Sequence, residues 1–218
     1  MSNVTFNTGP YGMNLASQQI ASAGMRVNDG GADTVLMGTE GSKNDPSVPN
    51  LTPNLTQSFP PLSRPDARVL VLGSMPGKVS LDAFQYYAHP RNAFWGIMAE
   101  LFQFERDQSY ALLVQSLLAQ KVAVWDVAKQ CIRPGSLDSN IVDSSVVAND
   151  FNGFFSSHPD VQLVCLNGGK AAALYKKHVL SKLESAMQID WEVLPSTSPA
   201  NAGLHYEQKV QMWAKALK

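Results

Sequence analysis

Val69–Phe102 reads VLVLGSMPGKVSLDAFQYYAHPRNAFWGIMAELF, and this stretch decides the fold. Its first five residues are the short apolar run of a strand buried on both faces. The turn Gly73-Ser74-Met75-Pro76-Gly77 ends that run. Its glycines let backbone approach a neighbour or a ligand closely, and its proline stiffens the turn. From Asn92 the pattern becomes helical, with Phe94, Trp95, Met98, Leu101 and Phe102 on one face. Two tyrosines, a histidine and an asparagine stand between strand and helix. Core packing alone does not require that mixture.

Downstream the same alternation repeats. VAVWDV (122–127), VQLVCLN (161–167) and IDWEVLP (189–195) read as strands. SYALLVQSLLAQ, SSVVANDFNGFFSSH, GGKAAALYKKHVLSKL and HYEQKVQMWAKALK read as helices. Alternating elements predict an α/β fold, a three-layer α/β/α sandwich around a central, mainly parallel four-stranded sheet. Ligands of such sheets bind beyond the carboxyl ends of the strands. Gly73–Gly77, Asp126, Asn167 and Leu194–Asn201 all fall there.

Residues 1–64 differ. They are rich in Gly, Ser, Thr, Asn and Pro, lack sustained periodicity, and bury too little apolar surface to offset ordering entropy. They are expected to form a mostly disordered extension, with one short helix near Met13–Gly24. Residues 65–218 form the expected domain. Only Cys131 and Cys165 are present, which excludes a disulfide scaffold and a four-cysteine metal site and points to a reducing, cytoplasmic compartment. No secretory signal and no membrane-spanning run is expected. Net charge is −1, with fourteen Lys/Arg and fourteen Asp/Glu after Arg64, so a strongly basic nucleic-acid binder is not indicated. Lys170, Lys176, Lys177, His178 and Lys182 cluster on one expected helix, as a basic patch or a solvated face.

Each motif has a chemical and a plain reading. GSMPG offers backbone N–H groups to a base carbonyl or a phosphate, or is an ordinary turn. It is neither a P-loop nor a dinucleotide fingerprint. Tyr86 and Tyr87 stack on a planar ring, worth about 1–3 kcal/mol per base, or are core. Asn92 orients a water or a base edge through its amide, or caps the helix before Phe94. Ser196, Thr197, Ser198, Pro199 and Asn201 form a stiff loop that presses on a nucleic-acid backbone, or lead into the last helix. Asp126 accepts from a base N–H, or is a structural acid paired with Arg133. Asn167 reads a ligand, or makes the turn before Gly168.

Taken together, these motifs resemble the uracil-DNA glycosylase superfamily, and most closely its hypoxanthine-DNA glycosylase branch, family 6. GSMPG, QYYAHPRN-x-FW and STSPAN carry the resemblance, which spans about residues 66–218. It implies a catalytic amide at Asn92, a base-stacking ring at Tyr87, and base contacts from Gly73, Ser74, Met75, Pro76, Gly77, Asp126 and Asn167. It implies DNA contacts from His89, Lys170 and the Ser196–Asn201 loop. Met75 stands where mismatch-type uracil enzymes carry a water-positioning Asn. Asp126 stands where other branches carry a strand-two Asn. The loop lacks the His-Pro-Ser histidine that assists a uracil leaving group.

The resemblance thus implies a monomeric, monofunctional DNA glycosylase of base excision repair. It would remove deaminated bases, above all hypoxanthine from deoxyinosine, from damaged double- or single-stranded DNA, without metal or cofactor. Uracil excision is the rival within the class. A non-catalytic DNA-damage-binding module and a sugar-phosphate enzyme are the rivals outside it.

Overall fold

The computed structural model describes residues 55–184 and 189–217. The expected Met13–Gly24 helix and the expected disorder before residue 55 lie outside them. β1 (Leu55–Gln57) leads to β2 (Val69–Gly73), followed by α1 (Lys78–Ala83), α2 (Phe94–Phe102) and α3 (Tyr110–Ala119). β3 (Val122–Asp126) and β4 (Ala128–Ile132) come next, then β5 (Val147–Ala148) and α4 (Phe151–Ser157). β6 (Leu163–Asn167), α5 (Gly169–His178), β7 (Asp190–Leu194) and α6 (Tyr206–Leu217) complete the chain.

The main sheet has the order β3-β2-β6-β7 with every pair parallel, from Val69↔Val122 to Asn167↔Leu194. Helices α2, α3 and α6 pack on one another along one face, and α4 and α5 meet on the other through Phe151 and Tyr175. This is the expected three-layer sandwich. Leu70–Leu72, Val122–Val124 and Val164–Leu166 are wholly buried, which is why these strands are continuously apolar rather than alternating. The connection from β2 runs outward to β3 and that from β6 outward to β7. The crevice between the carboxyl ends of β2 and β6 is therefore the topological switch point.

Three local expectations change. A second, antiparallel sheet of order β1-β4-β5 was not foreseen, and Val147–Ala148 pairs in it, so α4 begins only at Phe151. Asp150 fixes that start by accepting from the Gly153 N–H at 3.0 Å. α1 was also not foreseen. Residues 55–64, assigned by sequence to the extension, are built into the fold. Leu62 exchanges two 2.9 Å backbone hydrogen bonds with Val124 and seals the outer edge of β3. The Phe59 carbonyl accepts from Trp125 Nε1 at 3.0 Å. These residues dock through backbone groups, which leaves no trace in hydrophobic periodicity.

Candidate active site

A cavity of about 580 Å³ opens at the switch point. Every site residue expected from the sequence lines it, from Gly73–Gly77 and Tyr87 through His89, Asn92, Asp126, Asn167 and Lys170 to the 196–201 loop.

The Gly73–Gly77 loop is held from behind. The Gly73 and Ser74 carbonyls accept from the N–H groups of Val127 and Ala128 at 2.8 and 3.1 Å. The Met75 and Pro76 carbonyls accept from the two terminal nitrogens of Arg133, whose residue is 2% exposed. A trans peptide turns its N–H opposite to its carbonyl. The N–H groups of Ser74, Met75 and Gly77 therefore point away from those partners on a loop that lines the cavity, and none has a partner among the described residues. Gly73 is required by close approach, because a Cβ there would lie 2.4 Å from Asp126 Oδ1. Met75 is nearly buried beside the cavity, and the Ser74 hydroxyl donates to Asp138 at 2.7 Å.

The two tyrosines part company. Tyr86 is core, 3% exposed, with its N–H on the Tyr110 hydroxyl and its own hydroxyl on the Phe59 and Pro60 carbonyls. Tyr87 takes the left-handed backbone conformation, φ 57°, which costs a bulky residue about 1–3 kcal/mol. One face of its ring stacks on Phe94, with centroids 4.0 Å apart at 28°, and its buried hydroxyl has no partner among the described residues. Asn92 follows on the same wall. Its Oδ1 accepts from the Phe94 N–H at 3.0 Å, an Asx turn onto the first N–H of α2 made by the residue before the N-cap Ala93, and the side chain lines the cavity. A carbonyl oxygen keeps a second lone pair, and the amide N–H₂ has no partner among the described residues. His89 is half-buried, its Nδ1 accepting from the Arg91 N–H at 3.1 Å.

Asp126 is 3% exposed. Oδ2 accepts from the Ser58 hydroxyl at 2.8 Å, and Oδ1 has no partner among the described residues. Burial pushes its carboxyl up to about 7, the Ser58 hydrogen bond opposing and the nearby Asp138 charge adding to the rise. The suggested pairing of Asp126 with Arg133 is not formed, because the guanidinium braces the loop instead.

The opposite wall differs. Asn167 donates to Thr197 Oγ1 and accepts from the Thr197 N–H, both at 2.9 Å, so its amide is committed to the loop. Thr197 is 1% exposed, its side chain buried against Asn167. Ser196 and Ser198 accept from the Ser198 and Ala200 N–H groups, and Asn201 donates to the Ser196 carbonyl. The buried Lys209 ammonium holds the Asn201 carbonyl at 2.8 Å. Lys170 lies at the rim, paired at 2.7 Å with Asp143, which also meets Lys177. The basic cluster is thereby partly neutralised.

A family profile described as the uracil DNA glycosylase superfamily matches residues 60–218. The chain belongs to the uracil DNA glycosylase superfamily. Among its superfamily relatives is a protein of Methanosarcina acetivorans named hypoxanthine DNA glycosylase, 33% identical over 148 residues, covering 67% of this chain and 89% of that one. Another of the same name, from Methanosarcina barkeri, is 32% identical over 163 residues, covering 74% and 98%. The solution NMR structure of a Methanosarcina acetivorans protein described as a candidate uracil DNA glycosylase aligns with TM-score 0.62 at 30% identity, over 75% of this chain and 99% of that one.

One site residue of this superfamily member, Asp138, escaped sequence reading, and Arg133 was read only as a partner for Asp126. Both sit just after β4, where neither spacing nor periodicity sets them apart. Only the antiparallel turn of β4 brings them behind and beside the GSMPG loop.

Proposed function

We propose that this superfamily member is a monofunctional DNA glycosylase that hydrolyses the N-glycosyl bond of deaminated bases, above all hypoxanthine in deoxyinosine. The observation that carries the reading is the joining, in one cavity, of three outward N–H groups, a stacking ring and a half-buried amide. A nucleotide flipped from DNA costs a few kcal/mol, least where the base is mispaired. Its ring lies against Tyr87, which Phe94 backs. The loop N–H groups of Ser74 and Met75 demand acceptors. Hypoxanthine offers O6 there, whereas adenine offers an amino group. Asn92 holds the water that attacks C1′ as the sugar gains oxocarbenium character. Fixed dipoles around it favour that charge. The relatives' names support hypoxanthine as the base.

In the same reading the protein acts as a cytoplasmic monomer on damaged double- or single-stranded DNA, with no cofactor and no membrane association. His89, Ser198 and Pro199 meet the DNA backbone near the cavity mouth. The test is single-turnover cleavage of oligonucleotides carrying hypoxanthine, uracil or xanthine, followed by alkali to reveal abasic sites. Abasic sites at deoxyinosine are expected. A tenfold preference for uracil, about 1.4 kcal/mol in transition-state discrimination, would overturn the hypoxanthine assignment.

A further inference from the structure

We propose that Asp126 is the general acid of the reaction, donating the proton of its carboxyl to N7 of the departing purine. The inference rests on the function proposed above and adds to it the fate of the leaving group.

The cavity needs such a donor. A purine leaving from C1′ takes the bonding pair onto N9 as an anion unless it is protonated. The Leu194–Asn201 loop carries no histidine. Among the other ionisable groups on the cavity wall, Lys170 is held by Asp143 and Lys78 by Asp82, and Asp138 accepts from Ser74. His89 is the rival donor: with Nδ1 accepting from the Arg91 N–H, its neutral ring carries its proton on Nε2. Asp126 differs in its geometry. Ser58 pairs with Oδ2, which leaves Oδ1 the oxygen without a partner among the described residues and the one free to give the proton. Oδ1 lies against the Cα of Gly73, where the missing side chain leaves it room.

The placement suits the base. O6 and N7 are adjacent on one purine edge. With O6 on the Ser74 and Met75 N–H groups, N7 points back along the loop toward Gly73 and Oδ1. As C1′–N9 breaks, its electron pair passes to the ring and N7 takes the proton. Hypoxanthine leaves neutral and Asp126 is left ionised. Attack of water on C1′ releases a proton that restores the carboxyl through solvent. The net reaction is deoxyinosine plus water giving an abasic site plus hypoxanthine. Uracil has no N7, so the device also favours purines.

The groups facing Asp126 set its readiness. Asp138 opposes its ionisation and Arg133 favours it; Tyr86 and Tyr87 also stand close, the Tyr87 hydroxyl beside the same Gly73 position as Oδ1. Burial holds the carboxyl protonated up to about pH 7. When ionised, it would repel the lone pairs of N7 and O6.

The test is the pH profile of single-turnover deoxyinosine excision by the full chain, from pH 6 to 9, in the parent, D126N and D138N. The expected parent rate falls about tenfold per pH unit above pH 7. D126N is expected to lose at least a hundredfold at pH 6 and to show a flat profile, with deoxyinosine DNA still bound. D138N should keep the slope with its midpoint shifted down, because one opposing charge is gone. A flat parent profile overturns the inference, whether or not D126N folds. A slope that survives in D126N assigns the proton to another group and does the same. Absence of abasic sites at every pH overturns the proposed function and this inference together, whereas excision with a flat profile overturns only the acid.

Discussion

Two loops close the cavity, and both carry serine and proline at the end of a parallel strand. They are built in opposite senses. Gly73–Gly77 lines the cavity with its carbonyls tied behind it by Val127, Ala128 and Arg133, so its N–H groups point away from those partners and have none of their own among the described residues. Leu194–Asn201 satisfies most of its own polar groups. Asn167 grips Thr197, Ser196 and Ser198 close local turns, and Lys209 and the Trp213 indole hold the Asn201 and Pro195 carbonyls. The first loop is chemically open and the second mechanically closed. Residue type does not distinguish a reactive wall from a rigid one; the destination of each hydrogen bond does.

The largest effect should come from the open wall. Asn92→Ala is expected to reduce single-turnover deoxyinosine excision by about 10²–10³, some 3–4 kcal/mol of transition-state stabilisation, while deoxyinosine DNA still binds. Near-normal rates would leave Asn92 only as the Asx turn onto α2 and empty the comparison of content. Arg133→Met comes next. It leaves the Met75 and Pro76 carbonyls without charged donors and should cost about 3 kcal/mol of stability in denaturant melts. Excision should also fall, since the N–H groups lose their fixed aim. Arg133→Lys should recover part of both.

The closed wall should respond in stability alone. Asn167→Ala strands the Thr197 N–H and hydroxyl and should cost about 1–3 kcal/mol, with excision by the folded fraction changed less than about threefold. A collapse of excision in a stable Asn167→Ala protein would make the second loop chemical as well. A smaller effect concerns pH. The Asp126 carboxyl titrates near 7 when folded but near its ordinary ~3.9 when unfolded. Its contribution to stability is therefore full below about pH 4 and lost as pH rises through 7. The Tm of the parent should fall more between pH 5 and pH 8 than that of Asp126→Asn. Smallest of all, Lys170→Ala should change the salt slope of DNA binding by well under the ~0.9 of a full phosphate contact, because Asp143 already holds that ammonium. A change near 0.9 would open the rim of the closed wall to DNA.

The sequence by itself determined the parallel α/β sandwich, the four strands of its sheet and the strand ends around which the cavity opens. Each of these is written in local pattern: continuous apolar runs for strands buried on both faces, and glycine, proline and polar residues where those runs stop. It also left Asn92 open between helix start and catalyst; the structure shows its Oδ1 on the first N–H of α2 and its side chain on the cavity wall, and excision by Asn92→Ala decides the catalytic use. Tertiary structure alone decided what each polar group faces. It buried the Tyr86 hydroxyl on the Phe59 and Pro60 carbonyls and laid the Tyr87 ring on Phe94 through one left-handed residue, both at the cavity. It tied Asn167 on the cavity wall to Thr197 by two hydrogen bonds, and gave Arg133 to two carbonyls instead of Asp126. It drew residues 55–64 into the fold to supply Ser58 to that carboxylate. Hydrogen bonds between residues about 30 to 70 positions apart carry no periodic signature, so the chain cannot announce them until the sheet has brought their ends together.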